Sequence, residues 1–554
     1  MPAPRVKRER HGFVFLLALL VCAMVLLPVG TLAYIAISGT GEAWPHLAAN
    51  VLPRVTWTTL HLLTLVALLS AVTGVACAWL VVAYDFPFRK TLAWALVLPL
   101  AVPPYLASYA FAEFFLFSGP VQTFWRSLFG FQSARDYWFP DLRSTGGAAL
   151  VLSCVLYPYV YLTARVVFIM QGRNVADVAR TLGAKQGTVF RRILLPMSRP
   201  AIVAGVALVL METLNDIGAS EYLGVRTLTL SVFTTWLNRG SLEGAAQIAM
   251  LMLILVFALL MAEQWARRSQ RFHATRATHI KARPPRTQLT GWKRPAATIA
   301  VATPILLGFG IPLYVFGTYA LRRTYQFFDP ALAKAFVNSL TTALLAAVFT
   351  VLIALLLINA GRVARSRTVT AATRFAMIGY ALPGTILALG LLFSLARFDN
   401  WFDALMREWF GTSTGLVLTG SATAIVIACS IRFLALAEGA IRSGLEKLPP
   451  NLDQAARSLG RTPTRSAASV MLPLLWPSIF TAGVLVFVDT IKELSATILL
   501  RPFGFNTLAT FIYENASRGM AQDGAVAALL IIFTALVPVM LLSGALMRDR
   551  EATM

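Results

Sequence analysis

Two pairs of acidic residues stand inside runs that are otherwise apolar. Glu212 and Asp216 lie in "VLMETLNDIGASEYLG", and Asp489 and Glu493 lie in "VFVDTIKELSATILLR". Within each pair the spacing is four residues, so on a helix both carboxylates share one face. Carboxylate oxygens are the ligands a hard cation prefers, so these faces suit contact with a cationic solute. The same groups suit a structural role, pairing with Lys492 or accepting from helix-end amides to lock elements together. A carboxylate facing lipid at mid-membrane costs at least about 2.5–3.5 kcal/mol. In either role, then, these faces belong at a bundle interior or a water-filled path. Glu212 and Asp489 are 277 positions apart, as are Asp216 and Glu493. No nucleophile–base pair and no His/Asp/Glu metal cluster marks an enzyme, no metal ligand is assigned, and no cofactor is implied.

The surrounding sequence is that of a polytopic membrane protein. Hydrophobic residues make up 57% and charged residues 13% of 554 positions, with mean hydropathy +0.69. Soluble domains carry about 25% charged residues. Twelve runs are long enough to cross a bilayer as helices: roughly 13–37, 57–83, 91–117, 147–170, 198–219, 245–265, 295–320, 336–360, 371–396, 414–437, 477–500 and 523–547. The fold class expected is all-α. The four cysteines fall inside such runs, without a CxxC pair, and read as small hydrophobes. His61, alone in the second run, reads as a helix-packing donor.

The net charge of +23 sits between the runs. It concentrates in the N-terminal "RVKRER", in "FRK" at 88–90, in Arg362, Arg365, Arg367 and Arg374, in 171–199, and in 267–294. Basic loops mark the cytoplasmic side of helical membrane proteins, and these loops share one side if the spans alternate. Arg126, Arg135 and Arg143 lie on the other side and weaken the pattern without reversing it. Nucleic acid is not an expected partner, because no aromatic-basic module accompanies the charge. The expected placement is an inner (plasma) membrane, multi-pass, with both termini cytoplasmic. The first apolar run reads as an uncleaved span rather than a signal peptide, since it exceeds the usual 7–15 residues of the latter.

The chain is a duplication. Six spans per half is an even number, so both halves enter the membrane in one direction, as a parallel repeat. The expected division is 1–266 for the first repeat, 267–294 for a basic cytoplasmic linker open to anionic lipid, and 295–554 for the second repeat. A polar segment recurs between spans four and five and between spans ten and eleven: "DVARTLGAKQGTVFRRILLP" and "QAARSLGRTPTRSAASVMLP". Gly183 to Pro196 is thirteen residues, as is Gly460 to Pro473. Asp177 is expected near a helix N-terminus, with each glycine at a bend and each proline opening the next span. A lone copy would read as an amphipathic loop on the headgroups; two copies at equivalent places argue for a shared docking role.

These segments resemble the "EAA" loop of binding-protein-dependent ABC importer permeases. The match runs through Asp177, Ala179, Gly183 and Pro196 in one copy, and Gln454, Ala455, Ala456, Gly460 and Pro473 in the other. It departs from the pattern by Asp and Gln in place of Glu, and by Val178 in place of Ala. The resemblance implies the type I permease fold, two loops that dock into two copies of a separate ABC ATPase subunit, and a periplasmic or lipid-anchored substrate-binding protein. No GxxxxGK[ST] segment occurs in this chain, so ATP hydrolysis is expected in the partner. "KELSATILLRPFGFNTLATFIYENAS" and "METLNDIGASEYLGV" look like the corresponding regions of fused ferric-iron permeases. That implies iron as substrate and Glu212, Asp216, Asp489, Lys492 and Glu493 as a candidate translocation path. The alternatives are an importer of another small solute such as thiamine or a phosphonate, and an ion-gradient-driven secondary transporter.

Overall fold

The structure is a computed structural model, and it describes residues 12–39, 41–181, 186–268, 286–364, 367–449, 451–460 and 462–548. The described residues are mostly helical, with one two-residue parallel ladder. Among the described residues ten helices are long and apolar enough to cross a membrane, and up to twelve spans result when two bent helix pairs count as one each. The first and last straight spans run over Phe15–Ser38 and Ala521–Met540.

Spans three and nine depart from the expected straight helices. Arg89–Ala101 meets Pro104–Phe129 at 98°, and Ala371–Ala381 meets Gly384–Phe410 at 113°. The breaks fall at "VPP" and "LPG". A residue before proline is pushed out of the helical region by the proline ring. Val102 and Leu382 accordingly sit at ψ 112° and 123°, and Pro103 and Pro383 at ψ 144° and 138°.

Prolines also shape the straight spans. Among the described residues four π-turns occur, at Leu47–Val51, Phe190–Leu194, Leu306–Gly310 and Ala467–Met471. Each is followed by one residue and then a proline: Pro53, Pro196, Pro312 and Pro473. Proline brings no N–H and crowds the carbonyl four residues back. A wider turn re-satisfies the freed backbone groups. In three of the four, the residue before the proline donates its N–H five residues back: Leu52 to Leu47, Leu195 to Phe190, and Ile311 to Leu306.

The chain divides into two compact units that do not follow the sequence halves. One contains Met1–Gly39 and Lys334–Thr507, and the other contains Thr40–Ala333 and Leu508–Met554. In the first unit, span one (Gly12–Ser38) lies against span nine (Gly384–Phe410), and span ten (Thr423–Glu446) lies against span eleven (Leu472–Ile491). Gly390 makes the first contact possible, since a Cβ there would collide with the Pro28 carbonyl. In the second unit, span two (Leu52–Ala83) packs along span four (Thr145–Thr181), which also packs on span five (Leu195–Asn215). Span seven, whose last part is Ile311–Arg322, meets span twelve and Pro104–Phe115 of span three there. Each repeat therefore contributes its first span to the unit built mainly from the other.

The turn after span two is a small built structure. Arg89 is buried and donates to the Val81 carbonyl (3.1 Å) and to the Asp85 carboxylate (3.2 Å). Tyr84 and Asp85 pair in parallel with Thr287 and Gln288. The last part of the linker thus returns to the end of span two. Residues 269–285 of the linker lie outside the described residues. His61 is exposed rather than engaged in helix packing, because it falls on the outer face of span two. Cys77, Cys154 and Cys429 are buried and free, and Cys22 is half-buried.

Candidate functional site

Spans five and eleven end earlier than their apolar runs. Span five stops at Asn215, and Asp216 takes up an extended conformation (φ −84°, ψ 110°). Its carboxylate accepts the Ala219 N–H at 2.5 Å and so caps the short helix Ile217–Tyr222. Span eleven stops at Ile491, and Glu493 accepts the N–H groups of Ala496 and Thr497 at 3.0 Å each, and the Thr497 hydroxyl at 3.0 Å. Ala219 and Ala496 are again 277 positions apart, so the repeat has kept a cap as well as a charge. The first N–H groups of a helix have no intrahelical partner, and a carboxylate there satisfies them and favours the helix dipole. One turn earlier, Thr213 and Thr490 donate to the carbonyls of Val209 and Val486 at 2.8 and 2.7 Å, a further equivalent pair.

Glu493 carries a second load. Its carboxylate accepts from Arg432 Nη1 at 2.7 Å, and the two side chains are 2% and 9% exposed. Arg432 belongs to span ten. Gly384, the first residue after the break in span nine, lies against this pair. A Cβ at that position would stand 2.9 Å from Arg432 Nη1 and 3.1 Å from Glu493 Oε1. Three elements of one unit therefore converge on a single buried ion pair. The corresponding positions of the first repeat hold no arginine.

Asp489 forms an ion pair with Lys492 at 2.7 Å, with side chains 26% and 28% exposed. Glu212 is half-buried. Glu212 and Asp216 lie in one compact unit, and Asp489, Lys492 and Glu493 in the other. Sequence reasoning offered these carboxylates two roles, and Asp216, Asp489 and Glu493 all have structural partners. It did not single out Arg432, although an arginine within an apolar span must find a partner. Among the described residues no three His, Cys, Asp or Glu side chains gather as a metal site.

The two polar segments differ in detail. Span four continues as one helix through Thr181. Asp177 therefore lies near a helix C-terminal end and not an N-terminal one, which corrects the expectation. The cause is visible in the alignment of the repeats: Gly172 and Arg173 stand where the second copy has Pro449 and Pro450. There the prolines end span ten, and a separate helix, Asn451–Ser458, follows. Ala179 lies on the same continuous helix as Asp177, and Gly183 lies outside the described residues. In the second copy Gln454 and Ala455 are exposed and Ala456 is buried. Gly460 has φ +81°, and a Cβ there would meet nothing within 4 Å. Its glycine is needed for conformation and not for space. Each segment then passes through a π-turn, 190–194 or 467–471, into Pro196 or Pro473. Pro196 is half-buried and Pro473 exposed.

Comparison with known proteins joins these repeats to a family. The model described as "Binding-protein-dependent transport system inner membrane component" matches twice, over residues 70–264 and 357–550. The Fe(3+)-transport system permease protein FbpB 2 of Haemophilus influenzae is 24% identical over 477 residues, 85% of each chain. The probable sulfate transport system permease protein cysT of Nephroselmis olivacea is 30% identical over 38% of this chain and 74% of its own. The molybdenum transport system permease protein ModB of Escherichia coli is 28% identical over 38% of this chain and 92% of its own. With two matched copies covering most of its length, this chain belongs to the family of binding-protein-dependent transport system inner membrane components.

Proposed function

We propose that the chain is the whole membrane-spanning part of an ABC importer for ferric iron. The repeats 1–266 and 295–554, joined by the linker 267–294, do the work of two permease subunits. Two copies of a separate ATPase dock at 171–197 and 454–473, and a substrate-binding protein delivers solute to the opposite face. Both termini lie in the cytoplasm, and alternating access moves the substrate inward. The observation that carries this reading is the doubled polar segment, each copy ending in a π-turn and a proline 277 residues from its counterpart.

Iron is favoured by the likeness to an Fe(3+) permease over 85% of both chains, which extends to the fused organisation. Asp489 and Glu212, both half-buried, are the carboxylates in each repeat that suit a cation. The sulfate and molybdenum permeases match about one repeat's length of this chain, which points to an oxyanion instead. That is the second reading. A strain lacking this chain and other iron importers should lose most uptake of radiolabelled ferric iron, and neither thiamine, sulfate nor molybdate should restore growth on limiting iron. Unchanged iron uptake together with lost sulfate or molybdate uptake would select the oxyanion reading.

The coupling role has its own test. A valine at Gly460 must hold a left-handed conformation, which costs an L-residue about 1–2 kcal/mol. If docking of the ATPase draws on that turn, Gly460→Val should reduce transport-linked ATP hydrolysis about tenfold while leaving membrane insertion unchanged. Full coupling in the variant would remove the turn from the docking surface.

A further inference from the structure

A cavity of about 430 Å³ opens within the first compact unit, where span eight, the helix Arg367–Ala376 and span ten come together. Its apolar wall is Leu357, Ile358, Met377 and Leu445. Its polar wall is Thr373, Arg374, Glu438 and Arg442. Glu438 accepts from Arg442 Nε at 2.6 Å and from Nη2 as well, so that pair is neutral as a whole. Arg374 is exposed and gives the lining a net charge of plus one. The cavity lies at the ends of spans eight and ten that lead into the basic stretch 362–374 and the polar segment after 447.

We propose that this cavity holds the headgroup of an anionic phospholipid, with its phosphodiester at Arg374 and the start of an acyl chain along Leu357, Ile358, Met377 and Leu445. Basic pockets between membrane helices on the cytoplasmic side are suited to such headgroups. The complementarity is specific in two respects. A single net positive charge matches the single negative charge of a phosphodiester. An apolar wall beside it is wasted on inorganic phosphate, which has nothing to bury. Because span ten runs directly from this cavity into the polar segment, an occupant would brace the base of that segment. The proposal does not depend on which solute the protein carries.

The test uses the full chain, purified in detergent and incubated with phosphatidylglycerol, phosphatidylcholine or inorganic phosphate, with retained ligand read by native mass spectrometry. The wild type should retain phosphatidylglycerol in preference to phosphatidylcholine. Arg374→Gln should retain about fivefold less phosphatidylglycerol, as loss of one near-surface charge implies, and Arg374→Lys should restore most of it. Glu438→Gln with Arg442→Gln keeps the net charge and should keep the lipid. Equal retention by the wild type and Arg374→Gln would overturn the proposal. So would Arg374-dependent binding of inorganic phosphate without any preference for phosphatidylglycerol, which would assign the site to free phosphate. Unaltered melting temperatures of the variants will show that a loss of lipid is not a loss of fold.

Discussion

Arg432→Met is expected to destabilise the protein by about 3–5 kcal/mol, the cost of breaking a buried ion pair from one side. The reason lies in what remains. Glu493 keeps its amide partners, the N–H groups of Ala496 and Thr497, but loses the cation that offsets its charge in a site almost closed to solvent. Two helix-end amides favour a carboxylate but do not neutralise it. The pair itself need not be a large net gain, because two charges were desolvated to make it. Replacing both members therefore should cost less than replacing one. Arg432→Met combined with Glu493→Gln leaves a neutral side chain whose oxygen still accepts from the helix end, and should recover more than half of the loss. Thermal unfolding of the single and double variants, in one detergent, measures the coupling directly. If the double variant is no more stable than Arg432→Met, the ion pair is not what the arginine supplies, and the guanidinium's contact with the Phe433 ring, 5.4 Å from Cζ to the ring centre, becomes the explanation.

This ion pair shows where sequence reading stops. The acidic residues announced themselves by standing in apolar runs and by repeating 277 residues apart. Their partners did not, because a cap depends on where a helix ends and an ion pair on which helix lies alongside. The bends in spans three and nine were legible in principle, as "VPP" and "LPG" state them outright, yet hydropathy averages over a proline and reads one continuous span. Asp177 failed for the opposite reason. The two polar segments match so well that they invite a single structure, and the difference lies just upstream, in two prolines that only the second copy has. The number of spans and their grouping into repeats follow from apolar length and spacing. That each first span packs in the unit of the other repeat does not, since any apolar face satisfies hydropathy. Contacts of that kind are set by local shape, and glycine is the residue that reveals them once coordinates are known.

Gly390→Ala is expected to destabilise the protein by about 1–3 kcal/mol or more, the range for forcing an extra carbon into a closed contact. Alanine is the better helix former, by about 1 kcal/mol over glycine, so on local grounds alone the substitution should stabilise span nine. The contact reverses the sign. The added carbon would meet the Pro28 backbone, including its carbonyl oxygen, and a backbone cannot turn aside as a side chain can. Span one must then move away from span nine along its length, and both spans lose apolar burial. Gly439 provides the control. It also lies inside a helix of the same unit, on span ten, with nothing within 4 Å of an added carbon. Gly439→Ala should therefore raise stability by up to about 1 kcal/mol. Paired melting curves of the two alanine variants against the wild type give opposite shifts if close approach at Gly390 holds span one in place. Two shifts of the same sign would mean that span one is held by its broad apolar face, and that the repeats exchange their first spans without any need for this glycine.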